Sequence, residues 1–279
     1  MTADAARRIS VLWAGMAAIA GLFLGAALMP APARAEACLR GGSVDIALAG
    51  LKRRDTLTVA SGGTIRLADL DLPNMAMAPD PGVAELEREA SNWLVFLASG
   101  KPAAKFYPIR QDPDHHGRLP GHVLLAQAGS AGEPRMQADL VEKGYARVVP
   151  ESGRQDCLTK LLALERGARS RGAGLWQFPS YAVKSAAQVS QFLYSYQITR
   201  DRLVNTRVEG KRVIYTLGAR RGPAFDVDVP EKIAEALAAK AQPASDAGRL
   251  LEVRGWIDEG EERPVIKVEH PAQIELAKR

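Results

Sequence analysis

The fold of this chain is decided by residues 53–74, which read RRDTLTVASGGTIRLADLDLPN. Polar and apolar side chains alternate in Thr56–Val59 and again in Thr64–Leu67, as they do in half-buried strands. The glycine pair in residues 61–63, between these two segments, is typical of a tight turn. The stretch therefore predicts a β-hairpin.

A helix is predicted directly after this hairpin, in residues 85–97. Its apolar residues at helical spacing are Leu86, Ala90, Trp93, Leu94 and Leu97. Strands are then expected at 104–109 and 123–125, and helices at 136–143 and 157–170. The order β, β, α, β, β, α, α predicts a small barrel decorated by helices.

A second barrel is predicted in the C-terminal part of the chain. Strands are expected at 191–199, 203–208, 212–217, 224–229, 250–257 and 265–269, with a helix at 231–240. The first two segments are expected to form one bent strand. A helix between the third and fourth strands of a five-stranded barrel is the oligonucleotide/oligosaccharide-binding (OB) arrangement. We therefore expect a mostly β, α+β chain with a helix-decorated barrel at 36–178, a linker at 179–190 and an OB-like barrel at 191–279.

The first 35 residues have the pattern of a secretory signal peptide. Arg7 and Arg8 precede an uncharged stretch at 11–29, and a small-x-small cleavage signal ends at Ala35. An uncleaved membrane anchor is the alternative, because 19 uncharged residues approach the length that spans a bilayer. Either interpretation predicts a protein that works outside the cytoplasm, periplasmic or secreted.

The cysteine content agrees with export. Cys38 and Cys157 are the two cysteines of the chain, and an oxidising compartment favours a disulfide between them. Such a bridge would stabilise the fold by ~4 kcal/mol. Two free thiols are the alternative, and a metal site would need further ligands.

The net charge gives little support to a nucleic-acid partner. The full chain carries +5, and loss of the leader removes three arginines and one aspartate, which leaves +3. Any attraction for phosphate must therefore come from local clusters of basic residues.

Several motifs occur in a fixed order along residues 50–178. They are Arg53-Arg54-Asp55-Thr56, then residues 66–74 with Arg66, Asp71, Pro73 and Asn74, then Asp114–Arg118, Gln137–Ala146 and Gly174-Leu175-Trp176. The chain resembles the thermonuclease family, related to staphylococcal nuclease, whose patterns are D-G-D-T, R-L-x-x-I/V-D-x-P-E, D-x-x-G-R, N-x-x-L-V-x-x-G-Y-A and G-L-W.

The resemblance implies a site for phosphodiester hydrolysis. Arg66 and Arg118 match the arginine pair of the family, and two guanidiniums can hold a phosphate with defined geometry. The resemblance assigns a calcium ion to Asp55, Asp71 and the backbone carbonyl of Leu72, which are oxygen ligands suited to a hard cation. The implied partner is DNA or RNA. The alternative for these side chains is a surface ion-pair network.

Three positions depart from the family pattern. Asn74 stands where the family has the glutamate proposed to activate water, and an amide is not a comparable base. Arg53 and Arg54 replace the first aspartate and the glycine of D-G-D-T. Two functions therefore remain open: a calcium-dependent nuclease, and a degenerate nuclease fold that binds nucleic acid or protein in the cell envelope.

The second barrel has a candidate surface of its own. Phe192, Tyr194 and Tyr196 are expected on one face of its first strand, where they either fill the barrel core or stack on bases. The basic residues that follow are Arg200, Arg202, Arg207, Lys211, Arg212, Arg220 and Arg221. Aromatic residues beside cations suit single-stranded nucleic acid.

Overall fold

The structure is a computed structural model that describes residues 42–78, 80–100, 102–125, 136–240 and 248–277. The signal-peptide prediction and Cys38 lie outside these residues. The strands of these described residues form two β-barrels.

The first barrel is built from the predicted hairpin and the strands that follow it. Its strands are β1 (Val44–Arg53), β2 (Thr56–Val59), β3 (Thr64–Leu67), β5 (Ala103–Pro108) and β6 (Arg118–Leu125). They close in the order β1-β2-β3-β6-β5, with β3 and β6 parallel. A short pair, β4 (Leu70–Asp71) and β7 (Arg147–Val148), lies beside the barrel.

Three helices accompany this barrel: α1 (Val83–Ala98), α2 (Met136–Glu142) and α3 (Gln155–Ser170). Their apolar faces and the inward side of the strands form one core, which includes Leu48, Leu67, Leu94, Phe106, Leu140 and Leu158. Burial of these side chains stabilises the fold by roughly 2 kcal/mol for each large residue. Cys157 is buried at the start of α3, and its predicted bridge to Cys38 stays a prediction.

The second barrel follows short helical turns and α4 (Ala186–Val189). Its elements are β8 (Tyr196–Glu209), β9 (Arg212–Gly218), β10 (Ala224–Pro230), α5 (Glu231–Lys240), β11 (Leu250–Asp258), β12 (Val265–Lys267) and β13 (Ile274–Leu276). Strand β12 pairs with β10 in parallel and with β11 antiparallel, which closes five strands in the order β8-β9-β10-β12-β11. Strand β13 pairs with the outside edge of β11.

Both barrels share one topology. In each, the first strand pairs with the second and fourth, the third pairs in parallel with the fifth, and a helix follows the third strand. This is the OB arrangement, so the predicted fold class is confirmed for both halves. Strand β8 is the expected long strand, with an irregular register between Leu203 and Asn205.

The prediction that Phe192, Tyr194 and Tyr196 lie on one face of this first strand is wrong. The strand begins at Tyr196, whereas Phe192 ends a short helical turn and Tyr194 has a left-handed backbone with φ of 59°. Tyr196 is buried and Tyr194 is exposed. The three rings therefore do not form one stacking surface.

Buried charges join the two barrels. Arg254 of β11 donates to both carboxylate oxygens of Glu165 on α3, at 3.0 and 2.9 Å, and to the carbonyl of Val148 at 3.1 Å. Glu252 accepts from Arg169 of α3 at 2.9 Å. A buried ion pair is tolerated only where further hydrogen bonds satisfy both groups. Arg254 and Glu165 meet this condition, since Glu165 also accepts from the backbone N–H of Val148 at 2.6 Å. In the part of the chain that the structure describes, no helix is long and apolar enough to cross a membrane.

Candidate functional site

The predicted arginine pair is brought together by adjacent parallel strands. Arg66 lies on β3 and Arg118 begins β6, where Thr64 is its register partner. Arg118 donates to Asp114 from Nε at 2.9 Å, and the Nε of Arg66 lies 3.8 Å from the same carboxylate. The structure thus brings the two guanidiniums of the implied pair to one carboxylate.

Carboxylates already neutralise both arginines. Arg66 donates to Glu151 through Nη1 and Nη2, at 2.8 and 2.6 Å. Burial works against the charge of Arg66, but the bonds to Glu151 outweigh it and raise its pKa. Burial likewise favours a neutral Asp114, yet hydrogen bonds from Arg118 and from the backbone hold the pKa of Asp114 well below its usual range. A phosphate bound here competes with two permanent anions.

The three residues that the resemblance assigns to calcium are each held by an arginine. Arg54 Nη2 donates to the carbonyl of Leu72 at 2.7 Å and lies 3.7 Å from Asp71 Oδ1. Arg147 Nε donates to Asp71 Oδ2 at 2.8 Å. Asp55 Oδ1 accepts from the hydroxyl of Thr56 at 3.1 Å and lies 3.6 Å from Arg118, so the third ligand is also paired.

This arrangement does not fit a calcium ion. Calcium takes six to eight oxygen ligands at 2.3–2.6 Å, and the lone pairs that it needs here already face guanidiniums. A divalent cation would also be repelled by Arg54 and Arg147. Among the described residues, no group of three or more His, Cys, Asp or Glu side chains is placed to hold a metal.

Asn74 organises a turn at the position of the expected base. Its Oδ1 accepts from the backbone of Ala76 at 3.1 Å, and its carbonyl accepts from Met77 and Ala78, both at 3.0 Å. Its own backbone N–H donates to the Tyr181 hydroxyl at 3.0 Å. An amide engaged in this way has neither the charge nor the proton affinity to activate water.

The carboxylates closest to Asn74 in the sequence, those of Asp69, Asp80 and Glu85, are engaged in other contacts. Asp69 is 0% exposed and accepts from His122, from the Ser152 hydroxyl and from two backbone N–H groups. Burial favours its neutral form, yet these donors lower the pKa of Asp69 overall. Asp80 accepts from the backbone of Ser180 at 2.9 Å, and Glu85 pairs with Arg88 on the surface of α1.

The comparisons with known proteins agree with the barrel and the order of the motifs. Residues 64–178 match the family model described as Staphylococcal nuclease homologue. This part of the chain is a staphylococcal nuclease-like domain. Strands β1 and β2 precede the matched residues and complete the barrel. No curated protein matches the chain.

A cavity of about 320 Å³ lies where the nuclease-like domain meets the second barrel. Asp71, Asn74 and Arg147 line it on one side, and Tyr196 and Trp256 line it on the other. The guanidinium of Arg147 lies over the Tyr196 ring at 4.9 Å, and the Tyr196 ring meets Trp256 edge to face at 6.4 Å. Trp256 is 54% exposed, which leaves a large aromatic surface open beside the position of the expected base.

Glu151, Arg147 and Tyr181 are site residues that sequence reasoning missed. Each makes its contact with a residue far away in the chain: Glu151 is 85 positions from Arg66, and Tyr181 is 107 positions from Asn74. The family motifs do not include these partners.

Three of the basic residues predicted for the second barrel pair with its own acidic residues. Arg200 contacts Glu252, Arg207 contacts Asp226 and Glu209, and Arg212 contacts Asp228. Pairing of this kind lowers the potential that attracts phosphate. The predicted cluster is therefore weaker as a nucleic-acid surface than its sequence suggests.

Proposed function

We propose that this protein is an exported binding protein for single-stranded nucleic acid, built on a nuclease-like domain that no longer hydrolyses phosphodiesters. The observation that carries the proposal is the hydrogen bond that the side-chain oxygen of Asn74 accepts from the backbone of Ala76. Loss of a positioned general base costs ~10²–10⁴ in rate. The protein of this proposal binds nucleic acid and does not cleave it.

Two features of the structure support the chemistry of binding. Arg66 and Arg118 present a pair of guanidiniums that can exchange carboxylate partners for a phosphate, because both anions use the same bidentate geometry. Trp256 offers an exposed ring on which a base can stack. Unpaired bases stack without a sequence requirement, so we propose little sequence preference.

Export and the disulfide belong to the same proposal. The leader pattern at 1–35 supports export of the folded part to a compartment where a bridge between Cys38 and Cys157 would persist. Mass spectrometry of the protein recovered from the periplasm tests both points. A new N-terminus at Glu36 and a mass lower by two hydrogens than the reduced form are expected.

Hydrolysis is tested by incubating a fluorescent single-stranded DNA with the wild-type protein, Asn74→Glu and Arg66→Ala, with and without calcium. We expect binding without cleavage by the wild type. Cleavage by the wild type that Arg66→Ala abolishes would overturn the proposal in favour of an active nuclease. Cleavage gained only in Asn74→Glu would identify the amide as the missing part.

Binding is tested by fluorescence anisotropy with the same DNA. A negatively charged protein ligand is the competing possibility, and an acidic peptide of similar charge serves as its probe. Stronger binding of the peptide than of the DNA would favour a protein-binding role. Binding of neither would refute a phosphate-binding function of this site.

A further inference from the structure

The turn between β1 and β2 places Arg54 in an unusual backbone conformation. Its φ is 43°, in the left-handed region that residues with a Cβ rarely adopt. The D-G-D-T pattern has a glycine at this point, which enters that region freely. A glycine there would leave the space beside the turn empty, whereas Arg54 fills it with a cationic side chain.

The guanidinium of Arg54 reaches two of the three residues that the resemblance assigns to calcium. Its Nη2 lies 2.7 Å from the carbonyl oxygen of Leu72 and 3.7 Å from Asp71 Oδ1. An ion bound by the same two oxygens would lie close to this nitrogen. Leu72 is buried, and its carbonyl therefore depends on a partner of this kind.

A second arginine completes the replacement. Arg147 Nε donates to the other carboxylate oxygen of Asp71 at 2.8 Å, so both oxygens of Asp71 face guanidiniums. The ring of Tyr181 lies 5.2 Å from the Arg147 guanidinium and the ring of Tyr196 lies 4.9 Å from it. These aromatic contacts hold Arg147 in place by cation–π attraction. The positive charge at Asp71 is thus built into the chain.

We propose that Arg54 takes the place of the divalent cation, so that the site works as an arginine-based anion site that needs no metal. The fixed charge neutralises Asp71 without a metal, and Arg66 and Arg118 bind an incoming phosphate by exchange with Glu151 and Asp114. Calcium is then excluded by the same side chain that substitutes for it. The inference about calcium stands on geometry alone, and the inference about phosphate rests on the proposed function.

Calorimetric titration of calcium into the full protein tests the exclusion. The wild type is expected to show no binding up to millimolar calcium. Arg54→Gly should gain a site with a Kd on the order of 10⁻⁴–10⁻³ M, the range of extracellular calcium modules. This variant is expected to fold, since glycine accepts the left-handed conformation.

Two control variants test whether calcium binding depends on the position of the positive charge rather than on the net charge of the protein. Arg53→Gly removes the same charge from the exposed neighbouring position and should bind no calcium. Arg54→Lys keeps a cation at the turn and should also bind none. Equal calcium binding by the wild type and Arg54→Gly would overturn the proposal. So would a failure to bind calcium by both Arg54→Gly and Arg54→Gly/Arg147→Met, which also removes the second guanidinium from Asp71.

Anisotropy with single-stranded DNA tests the consequence for phosphate. The wild type should bind equally well in EDTA and in calcium. Arg54→Gly should bind severalfold more weakly in EDTA and recover in calcium. If no variant binds DNA, the proposed function fails while the calorimetry still decides whether Arg54 excludes the metal. Wild-type binding that requires calcium would contradict the inference directly.

Discussion

Both terminal nitrogens of Arg66 donate to the carboxylate of Glu151, at 2.8 and 2.6 Å. Arg66 lies on β3 and Glu151 follows β7, so this pair joins two distant parts of the nuclease-like domain. The Glu151 carboxylate occupies the guanidinium face that a phosphate would use. The affinity of the site for phosphate is therefore set by exchange between two anions.

Glu151→Gln should strengthen binding of single-stranded DNA. The amide oxygen can still accept from the backbone of Asp69, which donates to Glu151 at 2.9 Å, while the negative charge beside Arg66 is lost. A partly exposed ion pair is worth up to about 1 kcal/mol, so the gain in affinity should be roughly two- to fivefold. Anisotropy at fixed salt measures it.

Glu85→Gln is the matched control for this change. It removes the same charge from the surface of α1, where Glu85 pairs with Arg88. Its affinity for DNA should equal that of the wild type. An equal gain in both variants would mean that net charge, not release of Arg66, changes the affinity.

The fold could be predicted from sequence because its signals are local. Period-two alternation marks β2 and β3, helical spacing marks α1 and α3, and the order of strands and helices along the chain indicates a barrel in each half. The failure at residues 191–196 has a local cause as well. An alternating aromatic pattern does not reveal that Tyr194 has a left-handed backbone, which ends the regular strand.

The site was predictable only in part. The motifs correctly place Arg66 and Arg118 together, because their order along the chain fixes neighbouring strands. The ionic partners were not predictable, since Glu151 and Arg147 reach the site through long-range folding. The departure of Asn74 from the glutamate of the family was visible in the sequence, but its turn with Ala76 needed the structure.

Trp256→Ala should weaken binding of single-stranded DNA by about tenfold, because a stacked base contributes roughly 1–3 kcal/mol. Trp256→Phe should keep most of the affinity, since the smaller ring still offers an aromatic face. Quenching of tryptophan fluorescence on titration with DNA provides a second measurement, which should be lost in both variants.

Phe96→Ala is a suitable control for the tryptophan variants. Phe96 is an exposed aromatic residue on α1 that stacks on Trp93 and does not line the cavity. Its replacement should leave DNA affinity unchanged. Affinity that survives in Trp256→Ala would remove base stacking at this cavity from the proposed function.

Arg254→Met should destabilise the protein by about 3–5 kcal/mol, because it leaves the carboxylate of Glu165 buried without its partner. The double variant Glu165→Leu/Arg254→Met should recover part of this loss, since it removes the unpaired charge but also removes the side chains that bond the N–H and the carbonyl of Val148. Urea unfolding followed by circular dichroism measures both values.

Arg166→Met, at an exposed pair with Glu275, is the control and should change stability by less than about 0.5 kcal/mol. A loss of stability in the double variant as large as in Arg254→Met would show that the destabilisation comes from packing rather than from the unpaired charge.

Lys184 should make the stability of the protein rise with pH. It is 2% exposed, donates to the Pro179 carbonyl and lies over the Phe192 ring, and burial lowers its pKa to about 8 from the usual 10.5. Between these two values the unfolded chain binds more protons than the folded protein, so the free energy of unfolding increases with pH.

Lys184→Met should therefore be more stable than the wild type at pH 7, and this advantage should shrink steadily up to pH 10.5. Urea unfolding at pH 7, 8, 9 and 10 measures the difference, and Lys232→Met, at an exposed position of α5, supplies the baseline. A difference between Lys184→Met and the wild type that stays constant with pH would mean that Lys184 is charged in the fold at no cost.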